Sequence, residues 1–227
     1  MKRNHLVLCV YMIIIFGLSA QSVFGQNKAQ DVIKFLQKKY NTINDFTADL
    51  IQIQEFGFSG AKDTTQLTIA LLKKDYFKIK TSDITIITDG KIVKDYSIYE
   101  KRVTIDYYEK SQNSMLPREF LFEFPKRYIP ADFRSETRYE SSGFALEMEP
   151  KNPDEEIMQT LEVWVDAADS LVKYVSYTDF NDTETIYELS NYKIDTGLTP
   201  KDFELKYPKG TKVIDLRKKM SNLQNML

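Results

Sequence analysis

Apolar residues recur every three to four positions between residues 27 and 44. Val32, Ile33, Leu36, Tyr40 and Ile43 fall on one side of a helix, with Lys34, Gln37, Lys38 and Lys39 opposite, which predicts a single amphipathic helix. The period then drops to two. Phe46, Ala48 and Leu50 alternate with Thr47 and Asp49, as in a half-buried strand. Ile51 and Ile53 enter on the other phase, so this strand is either buried on both faces or carries a bulge. Alternation continues through Leu67, Ile69 and Leu71, through Phe77 and Ile79, and through Ile84 and Ile86. Asp89-Gly90 marks a hairpin, because glycine accepts the positive φ of a tight turn. Ile92 to Tyr96 forms the return strand, and Val103, Ile105 and Tyr107 form the next.

Residues 111 to 131 break this pattern. Leu116, Phe120, Leu121 and Phe124 lie at helical spacing between Pro117 and Pro125, predicting a short apolar helix that the second proline closes. Strands resume near 133–140, 144–150, 157–166, 171–180, 183–193 and 202–207, with turn signals at Ser142-Gly143 and from Asp166 to Ser170. No glycine- or proline-rich linker divides the chain. The expected architecture is mainly β with a few helices, in one domain over residues 26–215. A polar tail follows at 216–227, opening on Arg217, Lys218 and Lys219; such a run is ordinarily a solvated end.

The first 25 residues stand outside this pattern. Lys2 and Arg3 precede an apolar run from Leu6 to Leu18, and small residues lead to Val23-Phe24-Gly25. That is the layout of a secretory signal peptide cut after Gly25; the run falls short of the roughly 17 to 25 residues of a spanning helix. Export to the periplasm is expected. The only cysteine, Cys9, and the only histidine, His5, lie in this segment. After cleavage the chain has no thiol to carry a disulfide, a lipid anchor or a thiolate metal site. It also lacks the histidine of Ser-His-Asp and Cys-His nucleophiles. No metal, cofactor or catalytic residue is expected. Cleavage removes two of the 31 basic side chains and none of the 33 acidic ones, leaving a mildly acidic protein with no general attraction to nucleic acid.

Three phrases resemble the LolA family of periplasmic lipoprotein carriers. Tyr40 to Gln52, Y-N-T-I-N-D-F-T-A-D-L-I-Q, is similar to the family's F-x-A-x-F-x-Q after an opening helix, with Leu50 in place of the second aromatic. Thr88 to Tyr96, T-D-G-K-I-V-K-D-Y, resembles S-D-G-K-x-x-x-x-Y. Phe203 to Asp215, F-E-L-K-Y-P-K-G-T-K-V-I-D, resembles the closing F-x-F-x-x-P-x-G-x-x-V-x-D. They occur in family order across nearly the whole exported chain. One departure stands out. The family often carries K-R-P before the strand ending in F-x-W, whereas here Leu72-Lys73-Lys74-Asp75-Tyr76-Phe77 lacks the proline and puts Lys73 or Lys74 where the arginine would be. In the family that arginine is linked to closing the lid and to forward transfer of cargo. Lysine lacks the planar multi-donor fork of arginine.

The resemblance implies a strongly curved antiparallel sheet forming an incomplete β-barrel capped by helices. It also implies a monomeric carrier, with no cofactor, that takes acylated lipoproteins from an inner-membrane lipoprotein-releasing ABC transporter to an outer-membrane acceptor. Alternation then nominates Phe46, Leu50, Leu67, Ile69, Phe77, Ile79, Ile86 and Ile105 as lining for an acyl-chain cavity. Phe77 stands out, because it follows the basic pair. Leu116, Phe120 and Phe124 are lid candidates, and Lys73 and Lys74 anchor candidates. Two other readings remain: a carrier of another envelope amphiphile such as a glycolipid, and a carboxylate hydrolase using residues such as Asp132, Glu136, Asp179 and Asp182. No spacing in the sequence demands a pair of these carboxylates.

Overall fold

The structure, a computed structural model, describes residues 28–73, 76–108, 124–156 and 158–217. Helix α1 (28–42) leads into β1 (Asp45–Glu55), the first of twelve strands in one sheet. Five strands spread from one side of β1 as an antiparallel meander: β2 (Lys62–Leu72), β3 (Tyr76–Lys80), β4 (Ile84–Asp89), β5 (Ile92–Ser97) and β6 (Arg102–Tyr107). After the short helix α2 (Phe124–Arg127) come β7 (Tyr128–Arg138), β8 (Ser141–Pro150), β9 (Met158–Asp166), β10 (Val172–Asp179) and β11 (Glu184–Ile194). These form a second meander, and β11 pairs with the free side of β1. Finally β12 (Lys212–Asp215) pairs parallel with β6. The spatial order is β12-β6-β5-β4-β3-β2-β1-β11-β10-β9-β8-β7.

The result is one large, open, curved sheet that does not close into a barrel, with helices beside it. This is the predicted fold class, except that the parallel β12–β6 pair makes the sheet mixed. The expected strand at 202–207 does not form. Pro200–Phe203 is instead a 3-10 turn, and the last strand comes later, at Lys212–Asp215. Thr199 explains the turn: its NH and hydroxyl both donate to Asp202 Oδ2, at 2.8 and 2.9 Å, a cap that fixes the first turn. Nor does Pro125 close the helix it belongs to, since α2 runs through it to Arg127. Leu116 and Phe120 lie outside the described residues, as do residues 1–27 and Lys74.

Register divides the side chains between an inner and an outer face. Phe46, Leu71, Phe77 and Thr88 are direct cross-strand partners, and so are Ala48, Ile69, Ile79 and Ile86; partners share a face. On the other side of β1, Leu50 pairs with Leu189, while Tyr187, Val175, Val163, Leu146 and Phe133 form one continuous cross-strand row. β1 itself carries no bulge and is not buried on both faces: its register with β2 is unbroken from Asp45 to Glu55, and Ile51 is exposed and Ile53 half-buried on the outer face, while the bulge sits in the partner strand β11. The β1–β11 register shifts between Thr47 and Asp49, and Asn191 adopts φ 52 there while donating to Asp49 Oδ2 at 2.7 Å.

The start of β1 is tied to the chain end of β11. Asp45 is buried, and its two oxygens accept the NH and hydroxyl of Thr196 (both 2.8 Å), the NH of Gly197 (2.8 Å) and the NH of Leu198 (3.2 Å). Burial by itself would raise the carboxyl pKa. The four donated hydrogen bonds outweigh it and hold Asp45 below the usual carboxylate range.

On the outer face of the second meander, Arg134 bonds Glu147 and reaches Glu162 at 2.7 Å, and Arg138 reaches the other oxygen of Glu162 at 2.7 Å. Beneath them Trp164 is fully buried. Gly143 leaves room for it: a Cβ there would come within 2.4 Å of the Trp164 ring. Among the described residues no helix is long and apolar enough to cross a membrane.

Candidate apolar binding face

Seven of the eight predicted lining residues lie on the inner face. Phe46, Leu50, Leu67, Ile69 and Phe77 are buried there, and Ile79 and Ile86 pack partly buried against them. Ile105 does not join them. It pairs with Lys94, which pairs with Ile87, Lys78 and Ala70 in turn, so an unbroken register puts it on the outer face. The reason is that the apolar side of the sheet changes over at β4. Inner positions on β5 and β6 carry Asp95, Ser97, Arg102 and Thr104, and the apolar positions Tyr96 and Val103 point outward. A second, smaller core forms there. Tyr96 faces Tyr207 with ring centroids 6.2 Å apart, and Tyr76 faces Phe203 at 5.7 Å.

The inner face extends well beyond the predicted residues. Leu146, Met148, Leu161, Val163, Val165, Val172, Val175 and Leu189 belong to the same buried cluster. Alternation over 144–150 and 157–166 carried this signal, but nothing local says that those strands share a face with β1 to β4. Aromatic pairs line both meanders: Phe46–Tyr192 at 5.4 Å, Phe77–Tyr108 at 5.9 Å and Phe133–Phe144 stacked at 5.6 Å. No Asp, Glu, Lys or Arg faces inward over 46–50, 67–71, 77–79, 84–88, 144–148, 161–165 or 185–189. The polar groups that do enter include the hydroxyls of Thr88 and Thr185 and the phenols of Tyr187 and Tyr192. Burial pushes the hydroxyls of Tyr187 and Tyr192 upward in pKa, so both stay neutral.

Helices cover this face. Ala29, Ile33 and Leu36 of α1 and Phe124 of α2 join the inner cluster. Polar contacts fix α1 at its C-terminal end. The Val172 NH donates to the Tyr40 hydroxyl at 3.0 Å, and Lys39 Nζ donates to the Asp169 carbonyl. Lys73, one of the two residues at the family's arginine position, donates through Nζ to the Asn41 carbonyl at 2.8 Å, a favourable place for a cation at a helix C-terminus.

Three of the four carboxylates considered for hydrolysis have partners of their own. Asp132 and Glu136 both lie by Arg134, and Asp179 accepts the NH groups of Asn181 and Thr183 in a turn. Among the described residues no three His, Cys, Asp or Glu side chains gather as a metal site.

Comparison with known proteins points the same way as this geometry. Residues 41–206 match the family described as outer membrane lipoprotein carrier protein LolA. Among solved structures, an uncharacterized conserved protein from Thermus thermophilus shares the fold, with a TM-score of 0.53 and 12% identity over 83% of this chain and 99% of that one. A LolA superfamily protein from Nitrosomonas europaea gives a TM-score of 0.41 and 11% identity, over 78% of this chain and 97% of that one. By sequence, an uncharacterized protein of Methanocaldococcus jannaschii is 26% identical over 102 residues, which is 45% of this chain and 28% of that protein's length.

Proposed function

This chain belongs to the LolA family of outer membrane lipoprotein carrier proteins, and on that premise we propose that its inner face shelters the acyl chains of lipoproteins in transit through the periplasm. The observation that carries the reading is one continuous apolar face, free of charged side chains over its central strands and covered by separate helices. Phe46, Leu50, Leu67, Ile69, Phe77, Ile79 and Ile86 contact the acyl chains; α1 and α2, with Phe124, act as cover.

The chemistry requires such an exchange. Each buried methylene contributes about 0.8 kcal/mol, so three long chains hold a lipoprotein in a bilayer by tens of kcal/mol. A carrier must replace that environment nearly completely and still release the load. Swapping helix side chains for acyl chains does both, because one apolar contact replaces another. The carrier itself needs no nucleotide or cofactor. Cargo comes from an inner-membrane lipoprotein-releasing ABC transporter and goes to an outer-membrane acceptor, and the carrier acts as a monomer after residues 1–25 are removed. The lysine at the family's arginine position gives some weight to a different amphiphile, such as a glycolipid, on the same face.

The test uses inner-membrane vesicles containing the transporter and a lipoprotein. Purified protein should release the lipoprotein as a soluble complex only when ATP is added, and Ile69→Glu should abolish release. Native protein recovered with glycolipid and no lipoprotein would move the reading to the other cargo. Depletion in the host should strand outer-membrane lipoproteins at the inner membrane; unchanged sorting would refute the proposal.

A further inference from the structure

The two rims of the sheet differ in chemistry. One rim holds Lys73, the turns at 89–91 and 195–197, with sequences Asp-Gly-Lys and Asp-Thr-Gly, and the β7–β8 turn, whose exposed Tyr139 is tied by its hydroxyl to Glu188 at 2.9 Å. The opposite rim holds the β1–β2, β3–β4, β5–β6, β8–β9 and β10–β11 connections; those at 81–83 and 151–155 are polar, and the other three carry exposed aromatic or aliphatic side chains. Phe58 is fully exposed, Tyr99 is 91% exposed and Phe180 is 66% exposed, with Phe56 and Ile98 beside them. The β1–β2 and β10–β11 turns touch: Gly57 packs so closely on Asp182 that a Cβ would lie 2.3 Å from its carbonyl oxygen. Phe56, Phe58 and Phe180 therefore lie on two touching turns at the end of the central strands, whereas Ile98 and Tyr99 sit on a separate turn set back along the sheet.

Exposed apolar side chains scattered singly need no explanation, whereas several on the tips of adjacent turns do. We propose that this rim dips into the interfacial region of a lipid bilayer. The two touching turns offer separate spikes rather than a groove, so a planar, deformable partner suits them better than a shaped one. Aromatic side chains are favoured at the headgroup level. The charges beside the spikes decide which lipid. Glu55, Asp63, Asp179, Asp182 and Glu184 surround the pair of turns, and Lys62 is already paired with Glu55 at 2.7 Å. This acidic collar repels an anionic surface, so insertion is driven by the rings and favours zwitterionic lipid. The inference is independent of what the inner face carries.

Flotation of the purified protein with phosphatidylcholine vesicles tests it. Protein should float with the vesicles, equally at low and high salt, and added phosphatidylglycerol should weaken binding. Each of Phe58→Ser and Phe180→Ser should reduce the partition coefficient about tenfold or more, with unchanged thermal melting as the folding control. A Phe58→Trp reporter should be quenched by brominated lipid. Absence of flotation, binding that salt abolishes, or full binding by the double serine variant would each overturn the proposal; so would a dimer that the serine substitutions dissolve.

Discussion

The inner and outer cores use the same sheet yet are sealed in different ways. The inner core, from β1 to β4 and β7 to β11, is covered by helices whose side chains meet it through apolar contact, with polar fastening at the C-terminal end of α1. The outer core, around Ile87, Tyr96 and Val103, is covered by the C-terminal stretch, and backbone pairing locks that cover down. Lys212 donates to the Lys101 carbonyl and Leu216 to the Ile105 carbonyl, both at 2.9 Å, on either side of the parallel β12–β6 ladder. A strand cannot leave without exposing its hydrogen-bonding groups, whereas a helix keeps its own satisfied. The helical cover of the inner core keeps its own backbone paired, and the strand that covers the outer core does not.

Phe203→Ala should sharpen this contrast most. It should cost about 3–5 kcal/mol in urea denaturation while leaving the affinity of the folded protein for a fluorescent acyl probe unchanged; a gain in probe binding would make the outer core a second binding site. Asp45→Ala should cost about 2–3 kcal/mol, since it strands buried NH groups that bonded to a charge. Because the folded carboxyl pKa is depressed, this stabilisation is present above the unfolded value near 4 and fades as pH falls through the folded one. The gap between wild type and variant should therefore shrink from pH 7 to pH 3, and a gap independent of pH would contradict it.

Tyr40→Phe removes the hydroxyl that accepts from Val172 and should cost about 1–2 kcal/mol. If the cover lifts, the same change should tighten acyl-probe binding several-fold, because less of the protein is held closed. Lys73→Ala should act in the same direction but by less than about 1 kcal/mol, its bond being exposed. Probe binding that stays fixed in both variants would mean that α1 is not the cover that moves. Ile105→Ser, on the outer face, should leave probe binding within about twofold on the scale of surface substitutions.

Much of this was legible in the sequence because alternation reports faces within a strand. It placed Phe46, Leu50, Leu67, Ile69, Phe77, Ile79 and Ile86 together, since β1 to β4 keep one apolar phase through unbroken register. It misplaced Ile105 because Val103, Ile105 and Tyr107 alternate just as cleanly, and nothing local says that the apolar side has changed over. The C-terminal stretch read as a strand at 202–207 because Phe203 and Tyr207 are apolar; they pack from a turn and an irregular segment, so their spacing answers to the sheet beneath them. The Asp45 cluster was invisible, because a buried carboxylate and its donors over 150 positions away leave no local pattern.

The tie between Asn44 and Asp195, 151 positions apart, has a consequence for the order of events during folding. β1 is made first but its partner β11 is nearly last, so the central strand waits with one edge and its greasy side unpaired until almost the whole polypeptide exists. Such long-range closure slows folding and lengthens the interval of aggregation risk. An incomplete chain would need a holding partner to keep it from self-association, and C-terminal truncations that remove β11 should be insoluble rather than merely less stable.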